Sequence, residues 1–172
     1  MARRLVIPDD FPPLYRGHPQ IERLNQMGDL AHYDTMAADG DELAGRLQGA
    51  DVVVNVQRFN AFDRSLFKRL PRLRLLSVFG TGTDKVDLPA ATDLGIVVTN
   101  TPAATSISVA ELNMGLLLDV ARSISLSDQK VREGVWLSKF GVQLRGKTIG
   151  LVGLGAIGGR SPKSRRGLVC ES

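Results

Sequence analysis

The chain has 172 residues, enough for one domain of ordinary size but few for a two-domain enzyme. Its composition is 43% hydrophobic and 23% charged, and no apolar run approaches the ~20 residues that span a bilayer, which argues against a membrane protein. Four bases and one acid in 160–172 carry +3 of the net charge of +4, so the remaining chain lacks the basic face of a nucleic-acid-binding protein.

Short apolar runs alternate with helical segments over the first hundred residues. The runs are bounded by Pro, Gly, Asp or Asn, as buried parallel strands are, and they lie at 5–7, 51–55, 75–78 and 95–98. Each helical segment opens with an aspartate that can cap free amides, Asp41, Asp63 or Asp87, and the segments span 41–47, 63–70 and 87–94. Strands alternating with helices predict an α/β fold with an open parallel sheet.

A long apolar helix is predicted from Ser106 to Ser123, with Thr105 or Ser106 as its N-cap. Its apolar residues cover nearly the whole helical circumference, a pattern typical of a buried helix. Two alternatives stay open, an ordinary core helix or a helix between two lobes or two subunits. An amphipathic segment follows at 129–136.

A glycine turn closes the next predicted strand, 146–152. The turn has the spacing of a dinucleotide-binding fingerprint, in which Gly153 permits the tight turn, Gly155 lets the backbone approach a pyrophosphate, and Gly158 lets helix and strand pack closely. Amides at the start of the following helix, including those of Ala156 and Ile157, would face the phosphates. The motif predicts NAD or NADP binding, with a plain glycine-rich turn as the alternative.

The segment 160–172 does not continue this pattern. A βαβ unit needs ~30 residues, with an acidic residue ~20 positions after the motif. Here Pro162 falls where the helix should continue, and the segment is too short and too polar to reach a second strand. We therefore interpret Glu171 as a solvated terminal residue. We interpret 160–172 as an aberrant, disordered basic tail, from a shifted reading frame or an engineered end.

Four sequence blocks occur in a fixed order: GTGTDKVDL at 80–88, GIVVTNTP at 95–102, VAE at 109–111, and the strand and glycine turn at 146–158. Together they resemble the D-isomer-specific 2-hydroxyacid dehydrogenase family, which includes phosphoglycerate dehydrogenases and glyoxylate/hydroxypyruvate reductases. The resemblance implies a flavodoxin-like parallel-sheet substrate lobe over 1–102. It also implies the truncated start of a Rossmann NAD(P)-binding domain over 103–159.

The resemblance also implies roles for individual residues. Gly80, Thr81 and Gly82 match the loop that binds the substrate carboxylate through backbone amides, a role that glycines after a strand suit. Ser106 matches a position where many members have a threonine near the nicotinamide. Ala103 stands where many members have glycine after Asn-x-Pro.

The implied reaction is hydride transfer between NAD or NADP and a small 2-hydroxy or 2-keto acid, in a full-length homodimer. The family's catalytic arginine, histidine and acidic residue follow the glycine turn at a distance, so we assign no catalytic residue and no metal ligand here. His18 and His32 are predicted to have surface or core roles, and the isolated chain is predicted to be inactive. A dinucleotide-sensing binding protein of the same fold and a non-functional truncated product remain alternatives.

The cellular location is predicted from two further features. Cys170 is the single cysteine, which excludes an internal disulfide, and the first residues lack the apolar region of a secretory signal. We therefore expect a cytoplasmic protein.

Overall fold

The computed structural model describes residues 2–57, 59–138 and 140–160. The chain divides into two compact units, 1–102 and 103–172. The predicted tail, with Pro162, Cys170 and Glu171, lies outside the described residues apart from Arg160. None of the described helices is long and apolar enough to cross a bilayer.

The first unit contains a five-stranded parallel sheet with the order β2-β1-β3-β4-β5. Its strands are β1 (Arg4–Ile7), β2 (Asp29–His32), β3 (Val52–Asn55), β4 (Leu75–Val78) and β5 (Val97–Thr99). This is the flavodoxin-like order, in which the winding direction reverses between β1 and β3. The predicted parallel α/β sheet is confirmed.

Four helices connect these strands: α1 (Pro19–Met27), α2 (Gly40–Leu47), α3 (Arg64–Lys68) and α4 (Leu88–Asp93). Asp63 and Asp87 cap α3 and α4 as predicted, but Asp39 and not Asp41 caps α2. The Asp39 carboxylate accepts hydrogen bonds from the amides of Asp41 and Glu42 at 2.9 and 2.8 Å. The helix therefore begins one residue earlier than predicted, at Gly40. Helix α1 was not predicted from the sequence: its apolar residues are few, Ile21, Leu24 and Met27, and none of its residues is buried.

The core of the first unit lies between the central strands and helices α2, α3 and α4. Val53 and Leu76 pair directly across β3 and β4 and are completely buried, as are Leu47 on α2 and Ala90 on α4. Truncating one such leucine to alanine costs about 2–5 kcal/mol because the cavity only partly closes. This packing fixes the carboxyl ends of the strands, where the loops of the candidate site begin.

The second unit contains α5 (Ser106–Arg122) and α6 (Ile124–Arg132). The prediction of a helix from residue 106 is confirmed. Val120 is 81% exposed and Ile107 is 58% exposed, so α5 is not an ordinary core helix of this chain, and its burial between two lobes or two subunits stays a prediction. The apolar residues surround α5, and the short α6 that packs against it has too little surface to cover them. The amphipathic segment predicted at 129–136 corresponds to α6, which begins and ends earlier.

The strand predicted at 146–152 is not formed. The structure assigns no strand to these residues, and Val152 is fully exposed. A parallel strand requires a neighbouring strand for its amides and carbonyls, and the second unit has no strand among its described residues. Apolar patterning alone therefore did not determine the conformation here.

Candidate functional site

The loop after β4 lies at the carboxyl edge of the parallel sheet, where α/β proteins place their ligands. It follows Phe79 and begins with Gly80, Thr81 and Gly82. Gly80 has φ +110°, a conformation that side-chain-bearing residues rarely adopt. The glycine thus lets the chain turn away from the sheet directly after the strand.

Residues that follow β5 hold this loop. The Gly80 amide donates to the Thr101 hydroxyl oxygen at 2.7 Å, and the Thr101 amide donates to the Gly80 carbonyl oxygen at 2.9 Å. The Asn100 side-chain amide donates to the Thr81 carbonyl oxygen at 2.8 Å. Asn100 and Thr101 belong to the second sequence block, but the sequence indicated no role for them. The structure shows that they fix the loop.

These contacts change the expected set of anion donors. The Gly80 amide, predicted to face a carboxylate, is already engaged by Thr101. The amides of Thr81 and Gly82 donate to no other group within the described part of the chain. Two adjacent unpaired amides on a fixed loop are the feature that suits an incoming carboxylate.

The far end of the loop is fixed as well. The Phe62 amide donates to the Lys85 carbonyl oxygen at 2.8 Å, and the Asp87 amide donates to the Phe62 carbonyl oxygen at 2.9 Å. Phe62 itself is completely buried in the core. The loop is therefore attached to the folded core at both ends, which limits the entropy lost when a ligand binds.

A buried ion pair follows β1 at the same edge of the sheet. Asp9 accepts the Ala37 amide at 3.0 Å and the Asn60 side-chain amide, and it lies 3.5 Å from the Arg46 guanidinium. Burial raises the Asp9 pKa, and the Ala37 amide and the Arg46 charge oppose that rise. Arg46 also donates to the carbonyl oxygens of Pro8 and Thr35, both at 2.6 Å.

The neighbouring Asp10 organises the loop after β1. Its completely buried carboxylate accepts the amides of Leu14 and Tyr15 at 2.9 and 3.0 Å and contacts His32 Nε2 at 2.9 Å. Burial favours a higher pKa, but these hydrogen bonds outweigh it and lower the Asp10 pKa. Sequence reasoning missed Asp9 and Asp10; two aspartates directly after a buried strand were the available signal.

Both histidines have structural roles. His18 caps α1 by accepting the Gln20 amide at Nδ1, 3.2 Å away. His32 ends β2 and contacts the Asp10 carboxylate. Neither side chain is thereby placed against the amides of Thr81 and Gly82, in agreement with the predicted surface or core roles.

The glycine turn lies in the second unit. Gly153 has φ +92°, and a Cβ on Gly158 would collide with the Gly153 carbonyl oxygen. No atom lies within 4 Å of a Cβ built on Gly155, so its backbone is open to an approaching group. A helical turn begins next, with the Gly159 amide donating to the Gly155 carbonyl oxygen at 2.9 Å. The turn therefore fits a dinucleotide phosphate although the strand before it is not formed.

Ala103 and Ser106 mark the start of the same unit. Ala103 has φ +61°, the left-handed conformation that glycine adopts at low cost. The Ser106 hydroxyl donates to the Ala103 carbonyl oxygen at 2.7 Å. The hydroxyl predicted to lie near a nicotinamide thus stabilises the turn that leads into α5.

Residues 13–165 match the family model of the D-isomer-specific 2-hydroxyacid dehydrogenase catalytic domain. The chain belongs to the D-isomer-specific 2-hydroxyacid dehydrogenase family. The matched range includes the loop after β4 and the glycine turn, as the order of the four sequence blocks led us to expect.

Individual family members show how much of a dehydrogenase the chain represents. D-3-phosphoglycerate dehydrogenase of Methanocaldococcus jannaschii is 42% identical over 120 residues, 69% of this chain and 23% of that protein. Hydroxyphenylpyruvate reductase of Plectranthus scutellarioides is 39% identical over 142 residues, 80% of this chain and 44% of that protein. The chain thus spans less than half the length of these two relatives.

Solved dehydrogenase structures agree with this assignment. The pyruvate reductase of Chlamydomonas reinhardtii superposes with a TM-score of 0.81 at 27% identity, over 97% of this chain and 49% of that one. An acyclic imino acid reductase in complex with NADPH and D-Arg superposes with a TM-score of 0.78 at 27% identity, over 94% of this chain and 52% of that one. The chain therefore has the fold of about half of such an enzyme.

Proposed function

We propose that this chain is the substrate-binding part of an NAD(P)-dependent 2-hydroxyacid dehydrogenase, with the carboxylate of the acid held by the amides of Thr81 and Gly82. The observation that supports this is the loop after β4. It is fixed at both ends, and these two donors have no described partner. Gly80 contributes the backbone turn and not a hydrogen bond to the substrate.

Backbone amides suit this task because they cannot be deprotonated and they distinguish a carboxylate by charge and shape. Their place at the carboxyl edge of the sheet leaves the rest of the acid free to extend beyond the loop. The loop thereby orients the substrate and leaves proton transfer to another group. Histidine suits proton transfer by its pKa, and arginine suits carbonyl polarisation by its permanent charge.

The cofactor proposed for the second unit is NAD or NADP. Gly153, Gly155 and Gly158 would hold its pyrophosphate, with the amides of Ala156 and Ile157 at the following turn. When bound, the nicotinamide supplies or accepts the hydride of the reaction. The choice between NAD and NADP depends on contacts to the ribose 2′-position, for which the described residues offer no candidate.

We further propose that the 172-residue chain on its own binds a substrate acid without turning it over. His18 caps a helix and His32 pairs with Asp10, so neither is available as the proton-transfer group. A homodimer is the proposed state of the whole protein, supported by the exposed apolar surface of α5. The cytoplasm is its proposed location.

Binding and turnover separate these proposals experimentally. Isothermal titration with pyruvate should show saturable binding, and the uncharged pyruvamide should show none. Gly80→Ala should weaken pyruvate binding about tenfold or more, since the φ of +110° strains alanine by ~1–2 kcal/mol and moves the loop. Gly134→Ala is the matched control, because Gly134 also has positive φ (+76°) but lies in the second unit. Equal binding of pyruvate and pyruvamide would exclude the proposed carboxylate site.

A further inference from the structure

An exposed aromatic side chain directly precedes the carboxylate loop. Phe79 is 47% exposed although it follows the buried end of β4. Its amide donates to the Asn55 carbonyl oxygen at 2.9 Å, which fixes the backbone at the end of β3 and β4. A large apolar side chain left open beside an anion-binding loop indicates a surface for an apolar part of the ligand.

A second ring supports Phe79. Tyr15 packs edge-on against it, with ring centroids 5.8 Å apart and an interplanar angle of 81°. Tyr15 also packs edge-on against the His18 ring at 5.6 Å. The edge-to-face arrangement is the favoured one for aromatic pairs, so each ring restrains the other.

The buried Asp10 carboxylate sets the position of this ring pair. It accepts the amides of Leu14 and Tyr15 and is itself held by His32. These contacts fix the loop after β1, and its Tyr15 ring then lies against Phe79 at the end of β4, although the two segments are far apart in sequence. Phe79 and Tyr15 form a preorganised apolar wall, which reduces the ordering cost of binding.

We propose that this aromatic wall, Phe79 with Tyr15, receives the side chain of the substrate and selects aromatic or large apolar 2-hydroxy and 2-keto acids over phosphorylated ones. The inference rests on the proposed function, because it takes the carboxylate to be bound by Thr81 and Gly82. Phe79 lies two residues before Thr81, and in this proposal the third carbon of the anchored acid is directed toward its ring. Ring stacking would then stabilise an aromatic substituent.

Charge near the wall disfavours a phosphorylated substituent. Burial and the negative charge of Asp10 raise the pKa of the Tyr15 hydroxyl. The hydroxyl therefore stays neutral at physiological pH, and neither ring of the wall carries a charge that could pair with a phosphate. A phosphate would instead require cations directed at this surface.

Binding of three acids to the 172-residue chain tests the proposal. The acids are D-lactate, D-3-phenyllactate and D-3-phosphoglycerate, which share the carboxylate and the 2-hydroxyl and differ in the third-carbon substituent. Phenyllactate should bind about tenfold more tightly than lactate, and phosphoglycerate should bind no more tightly than lactate. Phe79→Ala should abolish the preference, so that the ratio of the lactate to the phenyllactate dissociation constant falls from about ten to about one.

Two control variants isolate the ring pair. Phe140→Ala removes a phenylalanine that is 96% exposed in the second unit and should keep the preference. Tyr15→Phe retains the ring and should also keep the preference for phenyllactate. The thermal unfolding midpoint of each variant, measured in parallel, shows whether a loss of binding reflects a loss of folding. If Phe79→Ala does not fold, Phe79→Leu takes its place, because leucine retains apolar volume without the ring.

The possible outcomes separate this inference from the proposed function. Loss of the phenyllactate preference in Phe79→Ala alone supports the wall. Three results would refute the proposed aromatic wall but not the carboxylate site: equal binding of all three acids, tightest binding of phosphoglycerate, or a preference for phenyllactate that persists in Phe79→Ala. Failure of all three acids to bind overturns the carboxylate site itself.

Discussion

Replacing Arg46 with methionine is expected to destabilise the first unit by about 3–5 kcal/mol, the usual cost of removing one partner of a buried ion pair. Arg46 is 7% exposed and donates to the carbonyl oxygens of Pro8 and Thr35 at 2.6 Å. Methionine fills much of the volume but leaves these acceptors unpaired, at about 1 kcal/mol or more each. It also leaves the buried Asp9 carboxylate without its cation.

The assay is urea unfolding, followed by circular dichroism, with Arg69→Met as the matched control. Arg69 pairs with Asp41 at 2.8 Å, but both side chains are at least half exposed, so its loss should cost less than about 1 kcal/mol. Burial raises the Asp9 pKa, and loss of Arg46 should raise it further. The folded variant then takes up a proton more readily, so its deficit should shrink as the pH falls. Similar losses for the two arginine variants would refute the assignment of a buried, structurally required pair.

The remaining predictions concern Asp10 and Ala103. The lowered Asp10 pKa means that its stabilising effect is complete above the usual value of 3.8 and is lost as the pH falls through the folded-state pKa. Asp10→Asn should therefore lower the free energy of unfolding by about 1–3 kcal/mol at neutral pH. As the pH falls, the variant should lose less further stability than the wild type. An equal loss of stability in acid for the two proteins would contradict this. Ala103→Gly should raise the free energy of unfolding by up to about 1 kcal/mol, because glycine adopts the φ of +61° without strain. Ala104→Gly, at a position of ordinary φ, should lower it. Thermal unfolding compares the two variants, and stabilisation by both or by neither would argue against strain at Ala103.

The sequence predicted the sheet well because burial on both faces gives parallel strands a distinctive composition. β1, β3 and β4 are Val, Leu and Ile runs with buried positions, and β5 shares their composition although it is a mostly exposed edge strand. Helix α1 was not predicted because it lies on the surface and its few apolar residues, Ile21, Leu24 and Met27, are not buried. The prediction of a strand at 146–152 was wrong because composition alone does not make a strand. Its residues suit a strand, but a strand also needs a neighbouring strand to pair with.

The candidate site could be predicted only where a motif gave the backbone conformation. The motif has glycine at position 80, and many family members have glycine at the position of Ala103; both positions have positive φ, which glycine adopts at low cost. Long-range partners were not visible in the sequence. The bond from the Gly80 amide to Thr101, 21 residues away, removed one of the three expected donors, and the contact between Tyr15 and Phe79 depends on how distant loops meet at one edge of the sheet.

Amide-resolved NMR of the chain during titration with pyruvate tests the central claim most directly. The account predicts saturable shifts of the Thr81 and Gly82 amide resonances, with a smaller change at Gly80, whose amide already donates to Thr101. Amides of α6, in the second unit, should not move. Saturable shifts centred away from the loop, or none at Thr81 and Gly82 at any attainable concentration, would contradict the claim that this loop binds the carboxylate.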